Sequence, residues 1–355
     1  MPALSTSAEP FRVGITRDLL DSDGSLAYGD IGLRLFDEAP GLEYGILPEL
    51  LTPVPPGQVA DLDAALALTV TWNARTFAEG AERLLIVARF GVGYDMCDVP
   101  TFTANDVLLT ITPGATDLAV AGAALTFMLA LSRRLRIKDR LVREGRWDER
   151  AQYQGTEIAG KTLGIVGYGG AGRKLRKLVE PFEMRVIAFD PYVSDAVLAE
   201  QGVTRAASLA DLFTEADHVS VHCVLNDETR GMIDRTLFDR MKPTAYFINM
   251  ARGPIVREAD LVEALRSGKL AGAGIDVYEQ EPPPPDNPLF ALENVILTPH
   301  ACSWTDECFQ AVGETAVRSI LSVYRGERPF GMVNAEVWDR PGFQAKLARM
   351  RARRP

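Results

Sequence analysis

The fold is decided by the stretch Leu163-Gly164-Ile165-Val166-Gly167-Tyr168-Gly169-Gly170-Ala171-Gly172. An apolar run typical of a buried strand leads into a G-x-G-x-x-G turn, and residues 171–179 then have the pattern of a helix. In such a unit Gly167 permits a tight turn, Gly169 lets the backbone approach a pyrophosphate, and Gly172 lets the helix pack closely on the strand. The free N–H groups at the start of the helix then hold the anion. This order of elements predicts a dinucleotide-binding site.

An acidic residue stands where the nucleoside of a dinucleotide would bind. Residues 185–189 form the next predicted strand, and Asp190 follows it, 21 residues after Gly169. A carboxylate at this place accepts hydrogen bonds from ribose hydroxyls and repels a 2′-phosphate. Because Pro191 and Tyr192 come next rather than arginine, the sequence favours NAD, and NADP is the less favoured cofactor.

Strands and helices alternate on both sides of this unit. Further strands are predicted at residues 11–16, 64–72, 84–87 and 108–112, and again at 218–222, 245–249, 272–277 and 294–297. This alternation predicts an α/β fold with doubly wound parallel sheets. Two segments have another pattern: residues 116–146 are predicted to be helical throughout, and residues 344–355 to form a frayed, solvated helix.

Length and composition restrict the class of protein. A chain of 355 residues usually needs more than one hydrophobic core, so two domains are expected. The net charge of −10 gives no electrostatic reason to bind nucleic acid or an anionic membrane. The four cysteines have no C-x-x-C spacing, which argues against a zinc or iron–sulfur site. Residues 1–9 lack the pattern of a secretory signal. The apolar run 118–131 is too short to span a bilayer. We therefore expect a cytoplasmic protein without metal, nucleic-acid or membrane partners.

Three residues that follow predicted strands suit a reaction in which hydride and proton transfer are coupled. His300 offers an imidazole, which titrates near neutral pH as acid/base catalysis requires. Arg252 offers a planar guanidinium that fits a carboxylate, and Glu281 a carboxylate that would fix the tautomer of an imidazole beside it. Of the two remaining histidines, His222 also ends a strand and is expected to line the cofactor cleft, whereas His218 begins that strand and is expected to be structural.

These motifs resemble those of the D-isomer-specific 2-hydroxyacid dehydrogenase family. The similarity runs from about residue 85 to residue 325, in the family's order and spacing. It covers Arg89-Phe90-Gly91-Val92-Gly93-Tyr94-Asp95, the glycine turn at 167–172, and the segments 222–231, 249–253, 274–282 and 298–300. The resemblance implies an NAD-dependent oxidoreductase that interconverts a D-2-hydroxy acid and its 2-keto acid.

The resemblance also implies roles for individual residues. Arg252 would bind the substrate carboxylate, His300 would protonate the keto oxygen as hydride arrives from NADH, and Glu281 would pair with His300. Backbone N–H groups of Val92 and Gly93 would help to hold the carboxylate. The cofactor site would be lined by Gly167, Gly169, Gly170, Ala171, Gly172, Asp190, His222, Cys223, Met250, Ala251, Arg252, His300 and, near the nicotinamide amide, Asp276.

The family's architecture implies two Rossmann-like domains. The NAD-binding domain, residues 113–305, would be inserted into a flavodoxin-like substrate domain made of residues 1–112 and 306–355. The helical stretch 116–146 resembles the family's dimerisation arm, so a homodimer is expected. The other partner would be a small 2-keto or 2-hydroxy acid.

Three positions depart from the family's usual pattern. Met96 stands where Asn is common, Gly122 where Glu is usual, and Trp304 follows His300 where small residues are frequent. Met96 and Trp304 lie near regions that shape the substrate pocket, so the side chain of the substrate is left open. Two alternatives are kept: an NAD(H)-gated scaffold similar to the C-terminal-binding protein corepressors, and a phosphite-type NAD dehydrogenase on the same fold.

Overall fold

The computed structural model describes residues 9–353, and the chain folds into two compact units. Unit 1 combines the chain up to Thr116 with the chain from Thr305 onward, and unit 2 is Asp117–Trp304. In chain order the strands are β1 (Phe11–Ile15), β2 (Leu42–Ile46), β3 (Ala64–Ala67), β4 (Ile86–Arg89), β5 (Leu108–Thr110), β6 (Thr162–Val166), β7 (Arg185–Phe189), β8 (Thr204–Arg205), β9 (His218–Val221), β10 (Tyr246–Asn249), β11 (Gly272–Ile275) and β12 (Val295–Leu297). The α-helices are α1 (Arg34–Asp37), α2 (Val99–Ala104), α3 (Asp117–Ser132), α4 (Leu135–Arg143), α5 (Gly170–Val179), α6 (Asp195–Glu200), α7 (Leu209–Glu215), α8 (Arg235–Phe238), α9 (Glu258–Arg266), α10 (Asp306–Arg325) and α11 (Pro341–Arg353).

Unit 1 is built on a five-stranded parallel sheet of order β2-β1-β3-β4-β5. This is the flavodoxin-like order, in which the direction of winding reverses between β1 and β3. The central strand β3 is wholly buried, and α10 packs on β3 and β4. The edge strand β2 was missed by the sequence pattern because four of its five residues are exposed, which leaves no apolar alternation to detect.

The prediction of a frayed C-terminal helix was wrong for the described residues. Helix α11 buries Phe343, Leu347 and Met350, whose helical spacing is hidden among basic residues. Lys346 is half-buried, and its ammonium donates to the backbone carbonyls of Ala81, Leu84 and Asn105 at 3.1, 3.2 and 2.8 Å. Burial lowers the pKa of Lys346 to about 8. Residues 354 and 355 lie outside the described range.

Unit 2 is built on a seven-stranded parallel sheet of order β12-β11-β10-β9-β6-β7-β8. The strands β6, β9, β10 and β11 are buried along their whole length, as expected of a parallel sheet covered on both faces. The winding reverses between β6 and β9, so a crevice is expected beyond the carboxyl ends of these two strands. The prediction of an α/β fold with doubly wound parallel sheets is confirmed.

The helical stretch predicted without interruption at 116–146 is broken in the structure. Helices α3 and α4 meet at a bend of 60°, and Arg134 between them has a left-handed backbone, with φ of 52°. Helix α3 buries Phe127 and Met128 in unit 2. Within residues 9–353, no single helix is long and apolar enough to cross a membrane, although the bent pair α3–α4 meets the criterion when its length and composition are taken together.

Candidate active site

The glycine turn between β6 and α5 contains glycines of two kinds. Gly167 has φ of 89°, and a Cβ there would lie 2.5 Å from the backbone nitrogen of Cys223. A Cβ at Gly172 would lie 2.7 Å from the carbonyl oxygen of Gly167. A Cβ at Gly169 would meet nothing within 4 Å, and its φ is −79°. The protein's own packing therefore requires Gly167 and Gly172, whereas Gly169 leaves open space in front of the first N–H groups of α5, as a bound pyrophosphate would need.

An acidic side chain not identified from the sequence lies at the same helix terminus. A Cβ at Gly170 would overlap the carboxylate of Asp117, the first residue of α3. Burial raises the pKa of Asp117, and the charge of Lys174 opposes that rise. A carboxylate is stabilised at a helix N-terminus, so Asp117 limits the space around Gly170 and competes with an anion there. The sequence offered no signal for this role, because an aspartate at the start of a helix is commonplace.

Asp190 is held by the glycine turn itself. Its Oδ2 accepts a hydrogen bond from the backbone N–H of Tyr168 at 2.8 Å, and its Oδ1 accepts one from Tyr192 at 2.9 Å. Each carboxylate oxygen accepts more than one hydrogen bond, so capacity for ribose hydroxyls is left. Arg205 was not singled out by the sequence pattern, and its guanidinium donates to the carbonyls of Asp190 and Val193 and to the Asp195 carboxylate. These contacts hold the guanidinium against the loop that follows β7.

The two histidines of β9 and its carboxyl end are neutral at physiological pH. Burial lowers the pKa of His218 and of His222 to about 4 in each case. His218 Nε2 lies 3.0 Å from the Ser132 hydroxyl, and its ring stacks on Tyr246. His222 Nε2 lies 2.8 Å from the Ser220 hydroxyl. Both environments suit a structural residue or one that lines a binding site better than a residue that transfers a proton.

The side chain of Asn249 holds the segment after β10 in place by hydrogen bonds. Asn249 Oδ1 accepts the N–H of Ala251 at 3.0 Å, and Asn249 Nδ2 donates to the carbonyl of Arg252 at 3.0 Å. Met250 and Ala251 are buried, and the half-buried Arg252 donates from Nη1 to the Ala251 carbonyl at 2.9 Å. At Gly253 a Cβ would overlap the Tyr278 carbonyl, so this segment packs closely against the chain that follows β11.

The loop that carries His300 is organised by Asp276. Asp276 is buried after β11, and its Oδ1 accepts three hydrogen bonds, from the Thr298 hydroxyl at 2.6 Å, the Ala301 N–H at 2.9 Å and the Cys302 N–H at 3.0 Å. Its carbonyl accepts the N–H of His300 at 2.8 Å. His300 has φ of 54°, a left-handed conformation that non-glycine residues adopt only when their surroundings enforce it. Asp276 supplies that constraint.

His300 and Glu281, predicted from separate strand ends, are brought together. His300 Nδ1 lies 2.8 Å from Glu281 Oε2, and Glu281 Oε1 accepts the N–H of Tyr278 at 3.0 Å. Burial acts to raise the pKa of Glu281, but the hydrogen bond and charge of His300, the Tyr278 N–H and the charge of Arg252 outweigh it, so the pKa is lowered. The His300 side chain is 44% exposed, and its Nε2 is the ring nitrogen left for a substrate.

Val92 and Gly93 lie in unit 1, directly after β4. Within residues 9–353 no hydrogen-bond acceptor is found for either backbone N–H, and both residues are half-buried. Gly91, before them, has φ of 133°, and a Cβ there would overlap the guanidinium of Arg89. Arg89 Nη1 donates to the Phe90 carbonyl at 3.1 Å. The turn thus presents two amide donors beside a cation.

The three residues that depart from the family pattern occupy different surroundings. Met96 is half-buried against the core of unit 1, and its carbonyl accepts the Trp72 N–H at 3.0 Å. Trp304 is 49% exposed, so it is not a core residue. Gly122 lies in α3, where a Cβ would meet nothing within 4 Å.

The chain is similar in sequence and in fold to known proteins. The family described as "D-isomer specific 2-hydroxyacid dehydrogenase, NAD binding domain" matches residues 125–302. A glyoxylate reductase from Korarchaeum cryptofilum is 38% identical over 340 residues, covering 94% of this chain and 99% of that protein. A D-3-phosphoglycerate dehydrogenase from Archaeoglobus fulgidus is 39% identical over 248 residues, covering 70% of this chain but 47% of that protein. The structure of D-mandelate dehydrogenase from Rhodotorula graminis superimposes with a TM-score of 0.80 at 26% identity, covering 92% of this chain and 98% of that one.

Proposed function

Because the chain belongs to the D-isomer-specific 2-hydroxyacid dehydrogenase family and is an NAD-dependent dehydrogenase, we propose that it interconverts a small D-2-hydroxy acid and its 2-keto acid. Arg252, Glu281 and His300 are the catalytic residues of this proposal. The observation that carries it is the 2.8 Å hydrogen bond between His300 Nδ1 and Glu281 Oε2, at the edge of the sheet that also carries the glycine turn.

His300 moves the proton. In the direction of reduction, NADH supplies hydride to the carbonyl carbon of the 2-keto acid. His300, protonated on both ring nitrogens, donates the Nε2 proton to the carbonyl oxygen, which becomes the hydroxyl of the product. The carboxylate of Glu281 accepts a hydrogen bond from the other ring N–H, at Nδ1, and this orients the imidazole. In the direction of oxidation the neutral imidazole takes the hydroxyl proton back.

Arg252 binds the carboxylate of the substrate in this proposal. A guanidinium beside a carboxylate forms short, charge-assisted hydrogen bonds, and it would also polarise the neighbouring carbonyl oxygen. A carboxylate next to the reacting carbon is the common feature of 2-keto acids. Val92 and Gly93 of unit 1 keep the role that the family resemblance implies, as backbone N–H donors to a carboxylate.

The cofactor is held by groups at the carboxyl edge of the seven-stranded sheet. Gly167 and Gly172 shape the turn, Gly169 leaves the space for the pyrophosphate, and Asp190 takes the ribose hydroxyls, which favours NAD over NADP. The remaining residues of this site in our proposal are Gly170, Ala171, His222, Cys223, Met250, Ala251, Arg252, His300 and, at the nicotinamide amide, Asp276.

The quaternary state and location are part of the same proposal. The arm α3–α4 and the segment after it expose Leu118, Leu135, Val142 and Trp147, which a second copy of the chain would cover. All four cysteines are free thiols, which suits a reducing compartment such as the cytoplasm. Sedimentation equilibrium is expected to give a dimer, and Leu135→Asp with Val142→Asp to give a monomer; a wild-type monomer would contradict the dimer.

The experiment is NADH oxidation by the purified protein with a panel of 2-keto acids. The panel contains glyoxylate, pyruvate, hydroxypyruvate, and branched and aromatic 2-keto acids, each also tried with NADPH. We expect turnover with at least one acid and faster turnover with NADH than with NADPH. NADH binding without turnover of any acid would contradict the proposal and favour a scaffold, and reduction of NAD by phosphite would favour a phosphite dehydrogenase.

A further inference from the structure

A hydrogen bond joins the loops on either side of the glycine turn in unit 2. The Tyr192 hydroxyl, in the loop after β7, donates to Glu228 Oε2, in the loop after β9, at 2.7 Å. Strand β6 lies between β7 and β9 in the sheet, and its last residue, Val166, is paired with Phe189 on one side and Val221 on the other. The hydrogen bond therefore spans the carboxyl end of β6, where the glycine turn begins.

Each of the two loops is ordered by hydrogen bonds of its own. In the loop after β9, Asn226 Oδ1 accepts the N–H groups of Glu228 and Thr229, each at 3.0 Å. The Thr229 hydroxyl donates to the Val224 carbonyl at 2.7 Å. The loop after β7 is held by the contacts of Arg205 described above. The Glu228 carboxylate is thus held at a defined place, although the residue is exposed.

Tyr192 connects the Glu228 carboxylate with Asp190, the residue at the adenosine ribose in our proposal. Its backbone N–H donates to Asp190 Oδ1 at 2.9 Å, and its hydroxyl donates to Glu228. The hydrogen bond and the charge of Glu228 raise the pKa of the Tyr192 hydroxyl, and the charge of Asp190 raises it further. The hydroxyl is therefore protonated at neutral pH and is a donor to Glu228. The charges of both carboxylates act at this one point.

Four other charged groups lie in or beside these loops, and their charges cancel. The Arg205 guanidinium is bound to the Asp195 carboxylate. In the loop after β9, Asp227 and Arg230 are both exposed and carry opposite charges. The carboxylates of Asp190 and Glu228 are the charges of the two loops that no cation of these loops balances.

We propose that Glu228 is a second determinant of the preference for NAD over NADP and that Tyr192 is the residue that positions it. The inference rests on the proposed function, which places the adenosine ribose at Asp190, and deepens it by naming a further residue that determines specificity. NADP differs from NAD by a phosphate on the 2′-hydroxyl of that ribose. Such a phosphate meets Asp190 from one loop and Glu228 from the other, and like charges repel. The neutral hydroxyl of NAD is not repelled.

The first test measures the Kd of NADH and of NADPH by fluorescence titration. Glu228→Gln keeps an acceptor for the Tyr192 hydroxyl and removes the charge. We expect its Kd for NADPH to be roughly threefold to tenfold lower than that of the wild type, and its Kd for NADH to change less than about twofold. Glu183→Gln is the matched control, because Glu183 is exposed and precedes β7, at the opposite edge of the sheet. An unchanged Kd for NADPH in Glu228→Gln would overturn the inference.

Ionic strength separates an effect of charge from a change of loop structure. In about 1 M salt the screening length falls to about 3 Å, so repulsion between exposed charges is largely lost. The Kd values of wild type and Glu228→Gln for NADPH are then expected to differ by less than about twofold. A difference that is the same at low and high salt would contradict the electrostatic role of Glu228.

Two further variants test how Glu228 acts. Tyr192→Phe removes the hydroxyl that holds Glu228, and is expected to lower the Kd for NADPH less than Glu228→Gln does and to add little when combined with it. If Glu228→Gln no longer lowered the Kd for NADPH in an Asp190→Asn background, Glu228 would act only through Asp190 and the inference would be overturned. We expect it to lower that Kd again, by roughly threefold or more.

These titrations use the cofactor alone and need no substrate, so failure of this inference is distinguishable from failure of the proposed function. A protein that reduces no 2-keto acid can still show the expected change in the Kd for NADPH, in which case the reaction alone is wrong. A wild type that binds NADPH as tightly as NADH would overturn the inference, while reduction of a 2-keto acid by the same protein would leave the proposed reaction standing.

Discussion

Two loops at the same edge of the seven-stranded sheet each carry a histidine, and the two histidines differ in hydrogen-bond partner and in exposure. After β12, His300 is bonded to the carboxylate of Glu281 and is open to solvent. After β9, His222 is bonded to the hydroxyl of Ser220, and burial lowers its pKa to about 4. A histidine that stays neutral suits the wall of a site, whereas one paired with a carboxylate and open to solvent suits proton transfer, the role that we propose for His300. Position at a strand end does not by itself distinguish the two roles.

The largest expected effect comes from removing His300, the proton donor of our proposal, after β12. His300→Gln is expected to lower kcat by roughly 10²- to 10⁴-fold, the usual contribution of general acid–base catalysis, and to leave the Kd for NADH nearly unchanged. His222→Gln is the matched control at the other loop, and its kcat is expected to fall far less. Steady-state kinetics and fluorescence titration of NADH measure both. Equal losses of kcat in the two variants would remove the distinction between the loops.

A smaller effect is expected from removing the charge that distinguishes the His300 loop. Glu281→Gln is expected to lower kcat by about tenfold to a hundredfold, since the partner that orients the imidazole is weakened. The pKa of Glu281 is lowered, so its carboxylate is charged at neutral pH and accepts the hydrogen bond of the imidazole. An unchanged kcat in steady-state kinetics would indicate that Glu281 only packs against the ring.

The loop after β9 is also tested through the glycine turn that it contacts. Gly167→Ala introduces a Cβ against Cys223 at positive φ and is expected to destabilise the protein by about 1–3 kcal/mol. Gly169→Ala meets no protein atom, so its melting temperature should stay close to that of the wild type while its Kd for NADH rises roughly tenfold. Differential scanning calorimetry and NADH titration separate the two effects. Normal NADH binding by Gly169→Ala would contradict the placement of the pyrophosphate.

The last expected effect appears only at acidic pH and concerns the buried histidine that begins β9. The pKa of His218 is about 4 in the folded protein and about 6.5 when unfolded, so the unfolded state takes up a proton first as the pH falls. Stability from this residue is complete above pH 6.5 and is lost between pH 6.5 and 4, by up to about 3 kcal/mol. His218→Gln keeps a polar group near Ser132 and should reduce that loss. Urea unfolding at pH 7.5 and 5.0 measures the difference; an identical pH dependence in both proteins would contradict the assignment.

Much of the fold follows from local sequence patterns. The buried strands of unit 2 are short segments rich in apolar residues that alternate with helices, so the parallel sheet could be predicted from them. The edge strand β2 could not be predicted in this way, because it is a strand through its pairing with β1 and not through an apolar pattern of its own. The break at Arg134 and the docking of α11 also depend on contacts with distant residues, which a helical pattern does not contain.

The candidate site was predicted in its residue types more than in its geometry. His300 and Glu281 were chosen from separate strand ends, and the structure adds the hydrogen bond that joins them. The left-handed backbone of His300 and the three donors gathered by Asp276 were not foreseen, because they arise when two loops meet. Asp117 escaped notice for the same reason: its contact with Gly170 joins elements far apart in the chain.

The central claim is that the protein transfers hydride from NADH to the second carbon of a 2-keto acid with D stereochemistry. The most direct measurement is a reaction with NADH that carries deuterium at both C4 positions, followed by mass spectrometry and chiral chromatography of the product. We predict a 2-hydroxy acid of D configuration with one deuterium on its second carbon. A product of L configuration, or a product without deuterium, would contradict the account.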